Sequence, residues 1–277
     1  MQLRRNQNIF DTPSEAFNAL KKNMVSTDGE IITSRYKGGS YLGALHIEGD
    51  VRKWNVWKNF DRIGELTLPD NFVFNFNVKH YDPITNTIPN EENGTYNYAA
   101  ELQFTPVIND GCLTVQPGNY ILLKNTSSYL KRDSGNRALT VVSKARATGT
   151  DGSLLANRDN SGYNWMYRQY TNKLTMHGTS EFGSVDIKDN SKPSILSATL
   201  SNNDVNVNYN NYTENTNKQA NFPGYGSGSP TKASLFKGFA DINTEEKWTG
   251  DFYWIFVATR VLSDEEIRQV IMYNENI

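Results

Sequence analysis

The stretch GDFYWIFVATR, residues 250–260, runs directly into VLSDEEIRQVIMYN, residues 261–274. Phe252, Tyr253, Trp254, Ile255, Phe256 and Val257 are aromatic or β-branched, with no Gly or Pro among them. That predicts a strand buried on both faces. Ser263 is an N-cap residue type and Glu266 follows three places later. At that spacing the hydroxyl and the carboxylate satisfy free backbone N–H groups reciprocally. Asp264, Glu265 and Glu266 put negative charge in the first turn, where the helix dipole favours it. Ile267, Val270 and Ile271 recur at helical spacing. The chain therefore ends in a core strand, a tight bend and a short amphipathic helix that needs a surface to dock on.

Working back from this end, the texture is β as far as Gly64. In residues 72–78, Phe72, Phe74, Phe76 and Val78 alternate with Val73, Asn75 and Asn77. Alternate residues share a face, so this predicts a half-buried strand with its phenyl rings inward. Short apolar runs follow at 112–115, 119–124, 138–144, 173–176, 184–187, 195–200 and 204–209, separated by turns such as Asn109-Asp110-Gly111 and Ser201-Asn202-Asn203. Residues 210–230 read as a long loop rich in Asn, Gly, Ser and Pro, either a contact surface or an arm reaching a neighbouring subunit. Many short strands at this spacing argue for a two-sheet sandwich.

Residues 1–62 read differently. Asp11 or Thr12 caps a short helix with Pro13 in its first turn, carrying Ala16, Phe17, Ala19 and Leu20. Ile31-Ile32-Thr33-Ser34-Arg35-Tyr36-Lys37 and a return strand over 40–47 flank Gly38-Gly39, a hairpin signal. So thin a unit buries little core alone. Oligomerisation through Phe17, Leu20, Ile32, Tyr36, Leu42 and Leu45 is the expected remedy.

Two resemblances bear on these residues. Tyr253-Trp254-Ile255, Arg260, Leu262, Ser263, Glu265, Glu266, Ile267 and Tyr273-Asn274 resemble the C-terminal end of concanavalin A-like (laminin-G-like) jelly-roll domains. That family includes glycan binders, adhesins, glycosidase modules and structural spacers, so the fold leaves function open. Residues 16–20, Asp28-Gly29-Glu30-Ile31, Arg35-Tyr36 and 42–47 resemble the N-terminal attachment region of virion fibre and capsid-decoration proteins of tailed phages. The bland alternative is an α+β cap on the jelly roll.

Composition narrows the function. The 277 residues carry a formal net charge of -2, which implies no general attraction to nucleic acid. The single Cys112 excludes an internal disulfide and a Cys-based metal cluster. Hydrophobic residues are only 37% while aromatics reach 12%, and Asn stands at 34 positions, a mixture that suits short strands joined by polar turns. No apolar run approaches the ~20 residues of a membrane helix. Arg4-Arg5 precedes no apolar segment, so no secretory signal is expected.

Catalytic motifs are sparse. His46, His80 and His177 show no metal-ligand spacing, and no nucleophile elbow or phosphate loop occurs. A glycosidase needs two facing carboxyls. Glu181 with Asp186, and Asp186 with Asp189, are the nearest candidates, and neither has i, i+2 spacing. We expect no enzyme. Glycans bind through aromatic faces and amide or carboxylate hydrogen bonds. Residues 163–170 alternate large aromatics, and Tyr212 and Tyr225 lie in the 210–230 loop. Trp165, Tyr167, Tyr212 and Tyr225 are the candidate glycan-binding residues, with core packing or loop filling as the alternative. Calcium is common in the resembled family. Asp151, Asn157, Asp159 and Asn160 offer oxygens for a hard cation, with plain turn chemistry as the alternative.

The expectation is thus a mainly β chain: a small α+β attachment and oligomerisation unit over residues 1–62, then a concanavalin A-like jelly-roll sandwich over 63–277. The expected role is a virion fibre or decoration protein, assembled in the host cytoplasm. It would form a homotrimer, join capsid or other virion proteins through its N-terminal unit, and display a surface for host glycans. No nucleic acid, membrane or resident cofactor other than calcium is expected. A bacterial cell-surface carbohydrate-binding module is the alternative, and a glycoside hydrolase the third.

Overall fold

In the computed structural model the chain divides into two compact units, Met1–Thr67 and Leu68–Ile277. Described are the backbone of four strands in the first unit and residues 67–276, apart from 92, 134–137, 150–151, 179–180, 188, 202–203, 210–213, 221–224 and 241–246. Over 204–220, and at 127–128, 181–182 and 276, only the backbone is described.

In the first unit, β1 (Leu3–Phe10), β2 (Ile31–Tyr36), β3 (Gly39–Glu48) and β4 (Val51–Lys58) form one sheet in that order. β1 runs parallel to β2, and the other pairs are antiparallel. Tyr36 stands opposite Gly39, so Gly39 belongs to the return strand rather than to the expected turn. Ile32 and Tyr36 lie on β2, and Leu42 and Leu45 on β3, in register with Trp57 and Trp54 of β4. The expected helix with Phe17 and Leu20 lies outside the described residues.

The second unit is a mainly β sandwich of two antiparallel sheets. One sheet runs β15 (Glu181–Asp186), β14 (Lys173–His177), β13 (Gly162–Gln169), β12 (Ser153–Asp159), β19 (Ala233–Leu235), β10 (Ile121–Leu123), β7 (Ala100–Leu102) and β6 (Thr87–Ile88). The other runs β18 (Glu214–Ala220), β17 (Asp204–Tyr209), β16 (Ser194–Leu200), β11 (Leu139–Ala147), β20 (Gly250–Ala258), β9 (Cys112–Val115) and β8 (Val107–Asn109). β5 (Phe74–Asn77) pairs with the 254–257 part of β20, and β9 with the 250–252 part. The 210–230 segment is not all loop, because β18 forms within it and pairs with β17. Its run Glu214-Asn215-Thr216-Asn217 carries no apolar alternation, so periodicity does not reveal it.

β20 is buried on both faces, as the sequence predicts. Phe252, Ile255 and Val257 face the core between the sheets. Trp254, Phe256 and Ala258 pack with Leu262, Ile267 and Val270 beneath the C-terminal helix Asp264–Asn276. The change of parity between Phe252 and Ile255 comes from a bulge. Lys144 pairs with Trp254 and Ala145 with Phe252, which leaves Tyr253 as the extra residue. At the start of the strand, a Cβ on Gly250 would sit 2.0 Å from the Arg146 carbonyl oxygen, so only Gly fits.

β5 departs from the half-buried strand expected. Phe74 and Phe76 enter the core and stack at 4.6 Å, but the polar face is buried as well. Asn75 and Asn77 lie beneath the C-terminal helix and meet Asn274 from it. Asn274 Nδ2 donates to Asn75 Oδ1 at 3.0 Å and to Val270 O at 3.0 Å. Asn274 Oδ1 accepts from Asn75 Nδ2 and Asn77 Nδ2, each at 3.0 Å. Trp254 Nε1 donates to Glu275 Oε1 at 2.9 Å, and Lys144 pairs with Glu275 at 2.5 Å. Phe72, expected on the core face with the other phenyl rings, packs on the helix side against Phe256.

The capping box is present. Ser263 N donates to Glu266 Oε2 at 2.8 Å, and Glu266 N donates to Ser263 Oγ at 3.3 Å. Arg260 pairs with Glu266 at 2.7 Å and donates to the Asp70 carbonyl, so the bend is tied to the start of the domain.

Two tests follow from this packing. Asn274→Ala leaves the Asn75 and Asn77 amides buried without their partner and is expected to cost roughly 2–4 kcal/mol. Urea unfolding followed by tryptophan fluorescence measures it, and a loss under about 0.5 kcal/mol would show that the helix docks without the triad. Burial acts to raise the Glu266 carboxyl, but hydrogen bonds from Arg260 and Ser263 prevail and hold it below the ordinary 4.5. A lowered carboxylate adds stability above its unfolded pKa and loses it as the pH falls through the folded value. Glu266→Gln is therefore expected to flatten the acid loss of stability below about pH 4.5. Melting curves across the acid range check this, and parallel profiles for the two proteins would refute it.

Candidate functional site

A dense cluster of buried polar groups sits at the turn end of the β12–β13 hairpin. It begins with a second bulge. Asn157 pairs with Trp165 and Arg158 with Tyr163, which leaves Asn164 as the extra residue on β13. A bulge re-aims a side chain, and here it turns the Asn164 amide onto two loops. Its Oδ1 accepts from Arg132 N at 2.8 Å and Asn157 Nδ2 at 3.3 Å. Its Nδ2 donates to Arg132 O at 2.7 Å and Gly226 O at 2.9 Å. One buried amide thus fastens both loops to the sheet.

Asp159 does the same two residues beyond Asn157. Its Oδ2 accepts from Thr231 N at 2.6 Å, Thr231 Oγ1 at 2.8 Å and Lys232 N at 2.9 Å. Its Oδ1 accepts from Ser161 N at 2.8 Å. The one-turn helix Ser127–Leu130 ends on this cluster, where Leu130 O accepts from Trp165 Nε1 at 2.8 Å and Asn157 Nδ2 at 3.1 Å. Arg132 lies just beyond it and is only 5% exposed. Its Nη2 donates to Tyr129 O at 3.1 Å. Burial lowers its pKa, with Tyr225 and Asp133 acting in the opposite sense.

An aromatic rim continues from Tyr129 toward solvent. Tyr129 meets Tyr96 edge-on at 5.3 Å, and Tyr98 lies 5.3 Å from Tyr96. Tyr96 is buried and donates its hydroxyl to Lys124 O at 2.9 Å. Tyr98 is 42% exposed and accepts at its hydroxyl from Asn125 Nδ2 at 2.8 Å. Asn125 takes φ 56°, a left-handed conformation that Asn tolerates, and so reaches Tyr98 from a tight turn. Lys124 and Glu101 form an ion pair at 2.8 Å beside it. The rim therefore combines a half-exposed ring, an oriented amide and a charged pair.

Several sequence-predicted site residues converge here, in roles other than those expected. Trp165 and Tyr167 are fully buried and face the core, with the Tyr167 hydroxyl 3.1 Å from Ser143 Oγ on the opposite sheet. Neither is open to a ligand. The partly exposed aromatics of the 163–170 stretch are Tyr163 and Tyr170. Tyr225 is buried in the core. Asn157 and Asp159 are buried loop anchors, and turn chemistry accounts for Asp159. Tyr212 and Asp151 lie outside the described residues. Tyr98, Asn125, Tyr129 and Arg132 are missed by the sequence reading. The usable signal is Tyr96-Asn97-Tyr98, two aromatics next to a turn, which reads equally as part of an alternating strand.

Glu181 and Asp186 stand at opposite ends of β15, opposite His177 and Lys173. At ~3.3 Å per residue their Cα atoms are roughly 16 Å apart. Asp189 is tied to Ser191 N at 2.8 Å. Asp251 and Glu275 pair with Arg146 and Lys144. Among the described residues no group of three His, Cys, Asp or Glu side chains is placed to hold a metal ion.

No protein-family model and no curated protein sequence matches the chain. Solved structures do resemble it. Trypanosoma rangeli sialidase in complex with sialic acid is 10% identical, with a TM-score of 0.52 over 89% of this chain and 44% of that one. The same sialidase with a difluoro-nononic acid gives 0.51 at 10% identity, over 89% and 45%. Domain 4 of AbnA, a GH43 arabinanase from Geobacillus stearothermophilus, in complex with arabinotriose, gives 0.48 at 12% identity, over 72% and 98%. The likeness to the sialidase is one of fold, the β-sandwich. The chain spans less than half the length of the sialidase chains it matches.

Asp159→Ala is expected to loosen the loop it anchors while leaving the core intact. Amide exchange at Thr231 and Lys232 should quicken by about tenfold or more while β20 keeps its protection. Acceleration throughout both sheets would instead make Asp159 a global determinant.

Proposed function

We propose that this chain is a non-catalytic, glycan-binding sandwich on a fibre or decoration protein of a tailed-phage virion, with residues 1–62 as the attachment and oligomerisation unit. The observation that carries the binding half is the Tyr98 ring, 42% exposed and oriented by Asn125. Sugars present flat apolar faces ringed by hydroxyls, so a fixed ring beside an amide and a Lys–Glu pair is suitable chemistry for them. A ring held in place before binding loses little conformational freedom on contact.

The assembly half rests on the resemblance of residues 16–47 to fibre attachment regions and on the four-stranded sheet β1–β4. So small a sheet gains from association with other copies. The proposed partners are other virion proteins and two further copies of this chain. The proposed setting is the virion, assembled in the host cytoplasm.

Light scattering is expected to give a concentration-independent trimer of the 31.4 kDa chain. Removal of residues 1–62 should leave a folded monomer. A full-length monomer would defeat the fibre reading and favour a bacterial cell-surface carbohydrate-binding module. Tyr98→Ala is expected to weaken glycan binding on an array by about tenfold, near the stacking value of one aromatic face, with the melting temperature unchanged. Undiminished binding would move the site off this rim.

A further inference from the structure

The solvent side of the Tyr98 rim is a small closed circuit. The Tyr96 hydroxyl donates to Lys124 O at 2.9 Å, and the next residue, Asn125, donates from Nδ2 to the Tyr98 hydroxyl at 2.8 Å. Lys124 Nζ then reaches back to Glu101, three residues beyond Tyr98, at 3.0 Å from Oε1 and 2.8 Å from Oε2. Two side-chain contacts and two short lengths of chain therefore hold Tyr98, Asn125, Lys124 and Glu101 together. Glu101 belongs to β7, Lys124 directly follows β10, and Asn125 is fixed in its left-handed turn. The Tyr98 ring is exposed, and Lys124 and Glu101 are each half-exposed. A solvent-exposed ion pair adds only ~0–1 kcal/mol to folding. This one joins strands whose backbones already pair, with Leu122 opposite Glu101, so the fold has little need of it. What it offers is a matched set of groups beside the ring. The carboxylate only accepts and the ammonium only donates. The Tyr98 hydroxyl accepts from Asn125 and so keeps its own proton to give.

We infer that Glu101 and Lys124 form a clamp for two adjacent hydroxyls of an uncharged pyranose whose apolar face lies on Tyr98. This rests on the glycan-binding reading and deepens it by naming the class of sugar. Each sugar hydroxyl is at once a donor and an acceptor. Both can donate to the Glu101 carboxylate while one accepts from Lys124, and bonds to charged groups are roughly twice as strong as neutral ones. The pair carries no net charge, so it holds no uncompensated cation to attract an acid. A sugar carboxylate placed in the clamp would stand against the Glu101 carboxylate, and like charges sharing a site disfavour each other. The clamp therefore selects neutral sugars over acidic ones.

The test uses the full chain on an array of neutral oligosaccharides with a terminal pyranose bearing adjacent hydroxyls. Each is printed beside its monodeoxy analogue and its uronate, and calorimetry follows on the sugar that binds best. Loss of one hydroxyl is expected to weaken binding by about tenfold or more, because a clamp group is then left unpaired. The uronate should bind more weakly than its neutral parent. Glu101→Gln and Lys124→Met are each expected to weaken binding of the neutral sugar by about tenfold. Neither should move the melting temperature by more than about 2 °C, since the pair is exposed. Full affinity in both variants, with Tyr98→Ala still weakening binding, would overturn the clamp and leave the glycan-binding reading intact. Deoxy analogues as tight as their parents would do the same, as would uronates as tight or tighter. A melting temperature lowered by more than about 4 °C in either variant would make the pair structural and overturn the inference. Binding that survives Tyr98→Ala undiminished, or no binding of any glycan, would remove both the clamp and the reading beneath it.

Discussion

The sandwich depends on one strand having two buried faces. β20 pairs with β11 on one side and with β5 and β9 on the other, so its backbone holds the centre of a sheet. Its inward side chains close the core against the opposite sheet, and its outward ones need a second cover. The C-terminal helix is that cover. Because the helix is amphipathic but short, it is anchored at both ends by polar contacts. The capping box and Arg260 fix its start, and Asn274 and Glu275 fix its last turn. A buried amide is tolerated at Asn274 only because Asn75 and Asn77 match its donors and acceptors. The central strand, the two asparagines of β5 and the final helix are therefore a single cooperative unit.

The same device recurs at the other polar cluster. Asn164 and Asp159 each use a full set of hydrogen bonds to pin a loop, and each does so from the turn end of the β12–β13 hairpin. Loops fixed in this way give a rigid base for the rim at Tyr98.

Much of the fold was legible because it is written in local patterns. The run from Phe252 to Val257 has no polar alternation, and Ser263 and Glu266 have the spacing of a cap. The turn at Ser201-Asn202-Asn203 separates two strands that pair as expected, with Leu200 opposite Val205. Asn and Asp occupy left-handed positions at Asn71, Asn86, Asp110 and Asn125, the conformation for which their abundance argued. The candidate site was far less legible. Trp165 and Tyr167 share a face with one another, but alternation does not say whether that face meets solvent or a second sheet. The bulge at Asn164 changes the parity within the very stretch on which the reading relied. β18 was missed because its residues are polar on both faces.

By itself the sequence determined a mainly β chain, a doubly buried terminal strand and a capped helix after it. These follow from side-chain period and short-range hydrogen bonding, which act within about one turn or one strand. Only the tertiary structure decided that the asparagine face of β5 is buried, since its cover comes from Asn274, 199 residues away. It likewise decided that Trp165 belongs to the core and Tyr98 to the surface. The physical reason is that period assigns residues to faces, while burial depends on which distant element covers each face.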